Sequence, residues 1–272
     1  NSKQSIIIID SNISARGSPT GGEIIIQSNE NDVNLQASVI QTNGSAGRGG
    51  TIFVDAHNNL TINSSLYANS SKNIAGTITL VADHILIKQN SILEAKGALG
   101  GGTILVGGSW QNSNPDIKQA ITTTAEAGSI IDASATENGD GGTVVLWSDI
   151  SNSNSLTRAN GKIYSEGGAE GGSGGLVETS GSILNIDGIT VSTLAFDGSA
   201  NLWLLDPYNF FFSTADLNTI STNLGLANIT LTSTSSALQG IDAEMAVYPN
   251  DTPIIGSGHI VFQDDFTYSG AN

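Results

Sequence analysis

Along this chain, apolar residues recur in short runs of period two, as in Thr51-Ile52-Phe53-Val54, Asn59-Leu60-Thr61-Ile62 and His84-Ile85-Leu86-Ile87. Such alternation sends Ile52 and Val54, or Ile85 and Ile87, to one side of a strand and their neighbours to the other, so each run predicts a strand buried on one face. Many of the runs open on one phrase, Gly-Gly-(Thr/Glu)-apolar-x-apolar. It stands at Gly21-Gly22, Gly49-Gly50, Gly101-Gly102 and Gly141-Gly142, as Ala75-Gly76, and in weaker form at Gly174-Gly175-Leu176-Val177. The second glycines lie 28, 26, 26, 40 and 33 residues apart, a step near 26 lengthened twice by insertions.

Two further short runs recur within a step, such as Ser65-Leu66-Tyr67-Ala68 and Ser91-Ile92-Leu93-Glu94-Ala95 after the runs at 59 and 84, which gives three strands per step. A fixed step of β-branched strands with Gly, Asn and Ser corners predicts an all-β, right-handed parallel β-helix, in which each coil covers the apolar face of the one before. An antiparallel sandwich is the competing architecture, but hairpins would not repeat one phrase in one direction. Glycine is expected at the corners because those positions take positive φ or leave no room for Cβ.

Two stretches break the rhythm. Residues 107–128, with Trp110-Gln111-Asn112-Ser113-Asn114-Pro115, read as a polar loop excursion. After Ala200, Ser213-Thr214-Ala215-Asp216 has the form of a capping box, and Leu217, Ile220 and Leu224 follow at helical spacing before Gly225, predicting one short helix near 214–225. The expected organisation is β-helix repeats over 1–200, then the helix and a continuation of the β-helix over 201–272 to a truncated end, through Asn228-Ile229-Thr230-Leu231 and His259-Ile260-Val261-Phe262.

Composition narrows the function classes. Only 9 Lys and Arg stand against 25 Asp and Glu, for a net charge of −16, which argues against a phosphate-binding face and hence against nucleic acid as partner. With no Cys there is no disulfide and no thiolate metal site, so stability rests on packing and backbone hydrogen bonds. The absence of Cys also suits a chain that crosses an outer membrane unfolded. No run approaches the roughly 20 apolar residues of a membrane-spanning helix. The opening Asn1-Ser2-Lys3-Gln4 has neither a Met start nor a signal pattern, and the chain reads as an excised fragment.

A string of phrases then carries a family resemblance. Val106-Gly107-Gly108-Ser109-Trp110-Gln111 is followed by Asp132-Ala133-Ser134 and by Asn138-Gly139-Asp140-Gly141-Gly142-Thr143-Val144-Val145-Leu146-Trp147-Ser148-Asp149. Thr157-Arg158, the glycine-rich stretch 167–181 and Trp203-Leu204-Leu205-Asp206-Pro207-Tyr208-Asn209 come next. Over residues 101–211 the chain resembles the filamentous haemagglutinin-type exoproteins and adhesins of two-partner secretion. Ala159 replaces the aromatic that usually follows the Thr-Arg pair, and the Asn-Pro signatures of the amino-terminal secretion domain are absent, which puts the fragment downstream of that domain. The resemblance implies a secreted or surface-displayed adhesin stalk on a Gram-negative-type bacterium. It further implies export through a cognate outer-membrane transporter, and a receptor or glycan on host or bacterial surfaces as the target.

Candidate chemistry is sparse. No catalytic, cofactor or metal residue is assigned, and the function is expected to be non-catalytic. The alternatives are a polysaccharide-cleaving β-helix enzyme and a structural filament subunit associating end to end. Lyases and glycosidases need carboxylate clusters or paired carboxylates. Asp264-Asp265, just after Gly258-His259, is the one adjacent acidic pair considered. Arg16, Arg48 and Arg158 read as solvated cations of Gly-rich corners, and Glu166, Glu170 and Glu178 as an acidic edge near glycine-rich turns. His57, His84 and His259 are scattered without metal spacing. Trp147 and Trp203 read as packed, whereas Trp110, in the excursion, is the candidate for binding a ligand. Asn-x-Ser/Thr triplets at Asn12, Asn43, Asn59, Asn63, Asn69, Asn228 and Asn250 arise by chance in so Asn- and Ser-rich a chain.

Overall fold

The structure, a computed structural model, describes residues 4–196, 199–208, 210–232 and 260–262. The fold is all-β with one helix, and every strand ladder among the described residues is parallel. An eight-strand sheet takes its members in chain order: Glu23–Ser28, Thr51–Ala56, Thr77–Val81, Thr103–Val106, Thr143–Trp147, Leu176–Ser180, Leu202–Leu205 and Asn228–Leu231. The first six of these are the six Gly-Gly phrases. In-register pairing aligns Ile24, Ile52, Ile78, Ile104, Val144, Val177, Trp203 and Ile229 in one column. From Ile24 to Trp203 this column is buried, and each fully buried aliphatic side chain in it contributes about 1.5–3 kcal/mol.

The glycine pairs enforce this register by sterics. A Cβ on Gly50 would lie 2.0 Å from the carbonyl oxygen of Gly22, and the same contact recurs from Gly76 to Gly50 at 1.8 Å, Gly102 to Gly76 at 2.1 Å, Gly142 to Gly102 at 1.9 Å and Gly175 to Gly142 at 2.1 Å. Successive repeats therefore meet backbone to backbone here, and the glycines are required by close approach. None of these five has a positive φ.

A twelve-strand sheet forms the rest of the wall. It runs from Ile6–Ile9 and Asn12–Ser14 through Val33–Gln41 to Asn59–Tyr67, and then divides. One branch holds His84–Ile87, Thr122–Ala125, Leu156–Ala159 and Ile183–Asn185; the other holds Ile92–Glu94, Ile130–Asp132, Lys162–Tyr164 and Thr190–Ser192. Two of the three strands expected per step are thus fused into nine-residue strands at Val33–Gln41 and Asn59–Tyr67. The bend survives inside the first as a register shift between Gln36 and Val39, with Ala37 at φ 48°. Inward residues of both sheets form one continuous core.

The expected excursion at 107–128 divides in the structure: 107–121, with a 3-10 turn at Trp110–Asn112, leaves the sheet, Thr122–Ala125 is a strand of it, and 126–128 is the turn that follows. The strand's Thr-Thr-Thr-Ala sequence hides the alternation. Thr123 is nevertheless fully buried and donates its hydroxyl to the carbonyl of Trp147 at 2.6 Å; in the next repeat Thr157 does the same to Ser180 at 2.6 Å. Buried hydroxyls replace aliphatic groups in these later repeats because each finds a backbone acceptor.

The helix spans Thr214–Asn223. Ser213 and Asp216 form the capping box, with the Asp216 N–H donating to Ser213 Oγ and the Ser213 N–H to Asp216 Oδ2. Leu217 and Ile220 face the core. The helix also closes the edge of strand Thr190–Ser192. Asn223 Oδ1 accepts from the Val191 N–H at 2.6 Å and its Nδ2 donates to the Ile189 carbonyl at 3.0 Å, so one buried amide stands in for a strand's backbone. A short parallel pair, Phe210–Phe212 with Ile260–Phe262, follows.

Two stability predictions follow from these contacts. Gly142→Ala should lower stability by about 1–3 kcal/mol or more through overpacking, whereas Gly225→Ala, with nothing within 4 Å of its Cβ, should be near neutral; thermal unfolding of both variants checks this. Asn223→Ala should lose about 1–3 kcal/mol by orphaning the backbone groups of Val191 and Ile189. In hydrogen exchange, the Val191 amide should lose protection ahead of the Ile52 amide.

Candidate functional site on the outer face of the eight-strand sheet

The column facing away from the core in the eight-strand sheet is Ile25, Phe53, Thr79, Leu105, Val145, Glu178, Leu204 and Thr230. For an outer face it is strongly apolar. Segment 107–121 accounts for its middle, because it leaves the sheet after Val106 and folds back over that column. Val145, Trp147 and Ile150 are buried in a second hydrophobic cluster outside the main core, with Leu105 and Trp110 packed against it. Gly108 permits this docking: a Cβ there would lie 2.4 Å from the Trp147 ring.

Hydrogen bonds fix the segment at both ends. Toward the later repeats, the Gln111 N–H donates to Glu178 Oε2 at 2.8 Å. Gln111 itself stands in the left-handed region at φ 46°. Trp147 Nε1 donates to Gln119 Oε1 at 2.9 Å, and the Asp149 N–H to the Ala120 carbonyl at 2.8 Å. Toward the earlier repeats, Lys118 Nζ reaches the His57 carbonyl at 2.9 Å and Asp83 at 2.8 Å. The segment thus clamps five successive repeats while Gln111 to Asp116 stay exposed at its tip.

Glu178 is fully buried under this clamp. Loss of hydration pushes its carboxyl up to about 7, and the nearby negative charge of Asp206 adds to the rise. Hydrogen bonds from the Gln111 N–H and from Ser180 Oγ, at 3.0 Å, work in the opposite direction. The carboxyl therefore takes up or releases a proton near neutrality, at the point where the clamp is tied down.

The other candidates fall elsewhere. Trp110 is half-buried at the start of the clamp, one side packed on the second cluster; Trp147 and Trp203 are buried. Arg16 and Arg48 are exposed on corners, but Arg158 lies within strand Leu156–Ala159, beside a shallow groove lined by Glu126, Asn160, Asn185 and Asp187. Glu166 is half-buried and accepts from the Ser192 hydroxyl, Glu170 is exposed, and Glu178 belongs to a strand face and not to the acidic edge expected for it. His57 and His84 are exposed, the latter hydrogen-bonded to Thr122 at 2.9 Å. Asp264, Asp265, His259 and Asn250 lie outside the described residues. Among the described residues no cluster of three His, Asp or Glu side chains is placed to hold a metal, and no helix is long and apolar enough to cross a membrane. The sequence signal for the clamp was the x position of the repeated phrase: apolar in four of six repeats, it marked a covered outer face, and Glu178 was the acid in that column.

No protein-family model matches the chain, and no curated protein matches it. Among solved structures it is similar to the HMW1 secretion domain from Haemophilus influenzae, with a TM-score of 0.57 and 26% sequence identity. The match covers 72% of this chain and 48% of that one, so the chain spans about half the length of this neighbour.

The buried carboxyl gives a signed pH dependence. Its folded value near 7 lies above the unfolded value of 4.5, so folding favours the protonated form. Stability is lost as pH rises from about 4.5 through 7, by about 3 kcal/mol in all. Glu178→Gln keeps an acceptor for Gln111 and removes the ionisation. The variant should melt higher than the parent chain at pH 8 and converge with it near pH 4.5; a parent chain as stable as the variant at pH 8 would contradict the assignment.

Proposed function

We propose that the chain is a segment of an exported, surface-displayed adhesin stalk, wound as a right-handed parallel β-helix of three strands per coil. The observation that carries this reading is the unbroken parallel stacking of like residues, from Ile24 through Ile52, Ile78 and Ile104 to Trp203, which lengthens the body by one strand spacing of about 4.8 Å per repeat. Such stacking makes a stiff spacer. Export is supported by the likeness to a domain named for secretion and by the phrases shared with two-partner secretion exoproteins between residues 101 and 211. In this reading a cognate outer-membrane transporter passes the unfolded chain, and folding outside, each coil templating the next, prevents its return.

The role is mechanical and non-catalytic. Repeats hold exposed segments such as Gln111–Asp116 at a fixed distance from the cell, where they, or parts of the protein beyond this chain, contact a receptor or glycan. Among the described residues, 4–196 supply the repeats, and the strands Leu202–Leu205 and Asn228–Leu231, with the helix between them, continue the stack.

In-frame removal of Thr77–Gly102 from the parent protein joins two repeats in their native register and should leave surface display and bacterial attachment intact. The combined change of Ile52, Ile78 and Ile104 to Asp should abolish both, because three buried charges prevent the coils from forming. Normal export of that unfolded variant would refute fold-driven export. New reducing or unsaturated ends in a polysaccharide panel treated with the purified chain would refute a non-catalytic stalk.

A further inference from the structure

One corner of the molecule sorts its charge by position. It follows the strands that end at Gln41, Tyr67, Glu94 and Asp132, and parallel bridges Gly17 to Gly44 to Ser70 to Gly97 to Ala135 stack it repeat upon repeat. In its first four turns, residues 15–22, 43–50, 69–76 and 96–102, stand Arg16, Arg48, Lys72 and Lys96 and no acidic residue. In the next two, residues 134–142 and 166–175, stand Glu137, Asp140, Glu166 and Glu170 and no cation. Four of the chain's nine cations thus line the first half of a corner whose second half is acidic.

Shape follows the same division. Between the stacked position and the glycine pair the basic turns span residues 16–21, 43–49, 69–75 and 96–101, whereas the acidic turns span 134–141 and 166–174. The longer acidic turns have more chain to place outside the stack. Beside the shorter turns an open groove of about 730 Å³ runs past Arg16, Asn43, Asn69, Glu94 and Lys96, with Thr136, at the start of the first acidic turn, on its far wall. Lys96 leans to Asp132 at 2.9 Å, which leaves Arg16, Arg48 and Lys72 as the exposed charges.

We propose that two copies of this chain pair side by side and antiparallel along this corner, the acidic turns of each set against the exposed Arg16, Arg48 and Lys72 of the other. A two-fold axis across the corner brings both complementary halves together at once, as an isologous contact requires. A free polyanion would meet only the basic half and would be repelled by its neighbour. The net charge of −16 opposes pairing weakly, because charges on the remote faces are screened beyond about 8 Å at physiological ionic strength. Individual exposed pairs contribute little, so the association is modest and strongly salt-dependent.

Sedimentation velocity on the full chain should show a concentration-dependent dimer at low ionic strength that dissociates in about 1 M salt. Changing Arg48 and Lys72 to Glu should weaken it at least about tenfold, as should changing Glu137 and Glu170 to Lys. These residues are exposed, so each variant should fold, with a circular dichroism spectrum matching that of the parent chain. Mixing the two variants should restore a one-to-one complex, since both halves then face opposite charge. A monomer at every concentration, association that neither reversal alters, as end-to-end stacking would give, or binding of a sulfated polysaccharide by a chain that does not self-associate would each overturn the proposal.

Discussion

The contact on which this architecture depends is the approach of a backbone carbonyl to the place where the next repeat would carry a Cβ. From Gly22 to Gly175 the second glycine of each pair lies under the preceding one, at a distance that no side chain survives. Parallel ladders alone would tolerate a slip of two residues without moving any side chain to the wrong face. The glycine column does not tolerate it, because such a slip would drive Ile52, Ile78 or Ile104 against a carbonyl. Register, and with it the alignment of the buried isoleucines, is fixed by what is missing from the side chain.

Once register is fixed, polar groups can be carried inward wherever a hydrogen-bond partner recurs from repeat to repeat. Thr123 and Thr157 each lie beside the same kind of backbone acceptor, one repeat apart, and Ser38 receives a backbone N–H at one turn while Ser64 does so at the next. A stacked fold multiplies any satisfied contact along its length. Its weak points are the edges where stacking stops, and Asn223 shows how one is closed: a single side-chain amide supplies the donor and the acceptor that a further strand would have given.

The outer face of the eight-strand sheet obeys a different logic. The middle of its apolar column would be an exposed stripe without segment 107–121, whose clamp covers Val145 and Trp147 and ties down repeats on either side, whereas Ile25 at its start stays exposed. Covering that stripe carries Glu178 out of water, so a structural device acquires a proton-sensitive fastening. The clamp and the repeat stack make one mechanical unit.

Period-two runs and the recurring glycine phrase were enough to read six strands of the eight-strand sheet, the parallel stacking and the helix, because strand pleat and helix capping are local rules that leave marks every two or three residues. The strand Thr122–Ala125 was not readable in this way, since its inward Thr123 is satisfied by a carbonyl 24 residues away that no local pattern reveals. Nor was the site. Trp110 could be singled out as an aromatic in a polar loop, but whether its ring faced solvent depended on which sheet face the loop covered. Glu178, placed by its neighbours on a glycine-rich edge, proved to be buried because a segment 67 residues earlier in the chain lies over it. The sequence determined the repeat, its direction and its register through sterics acting between adjacent residues and adjacent repeats. Only the tertiary structure decided which outward faces are covered and which carboxyl loses its water, because both depend on contacts between residues far apart in the chain.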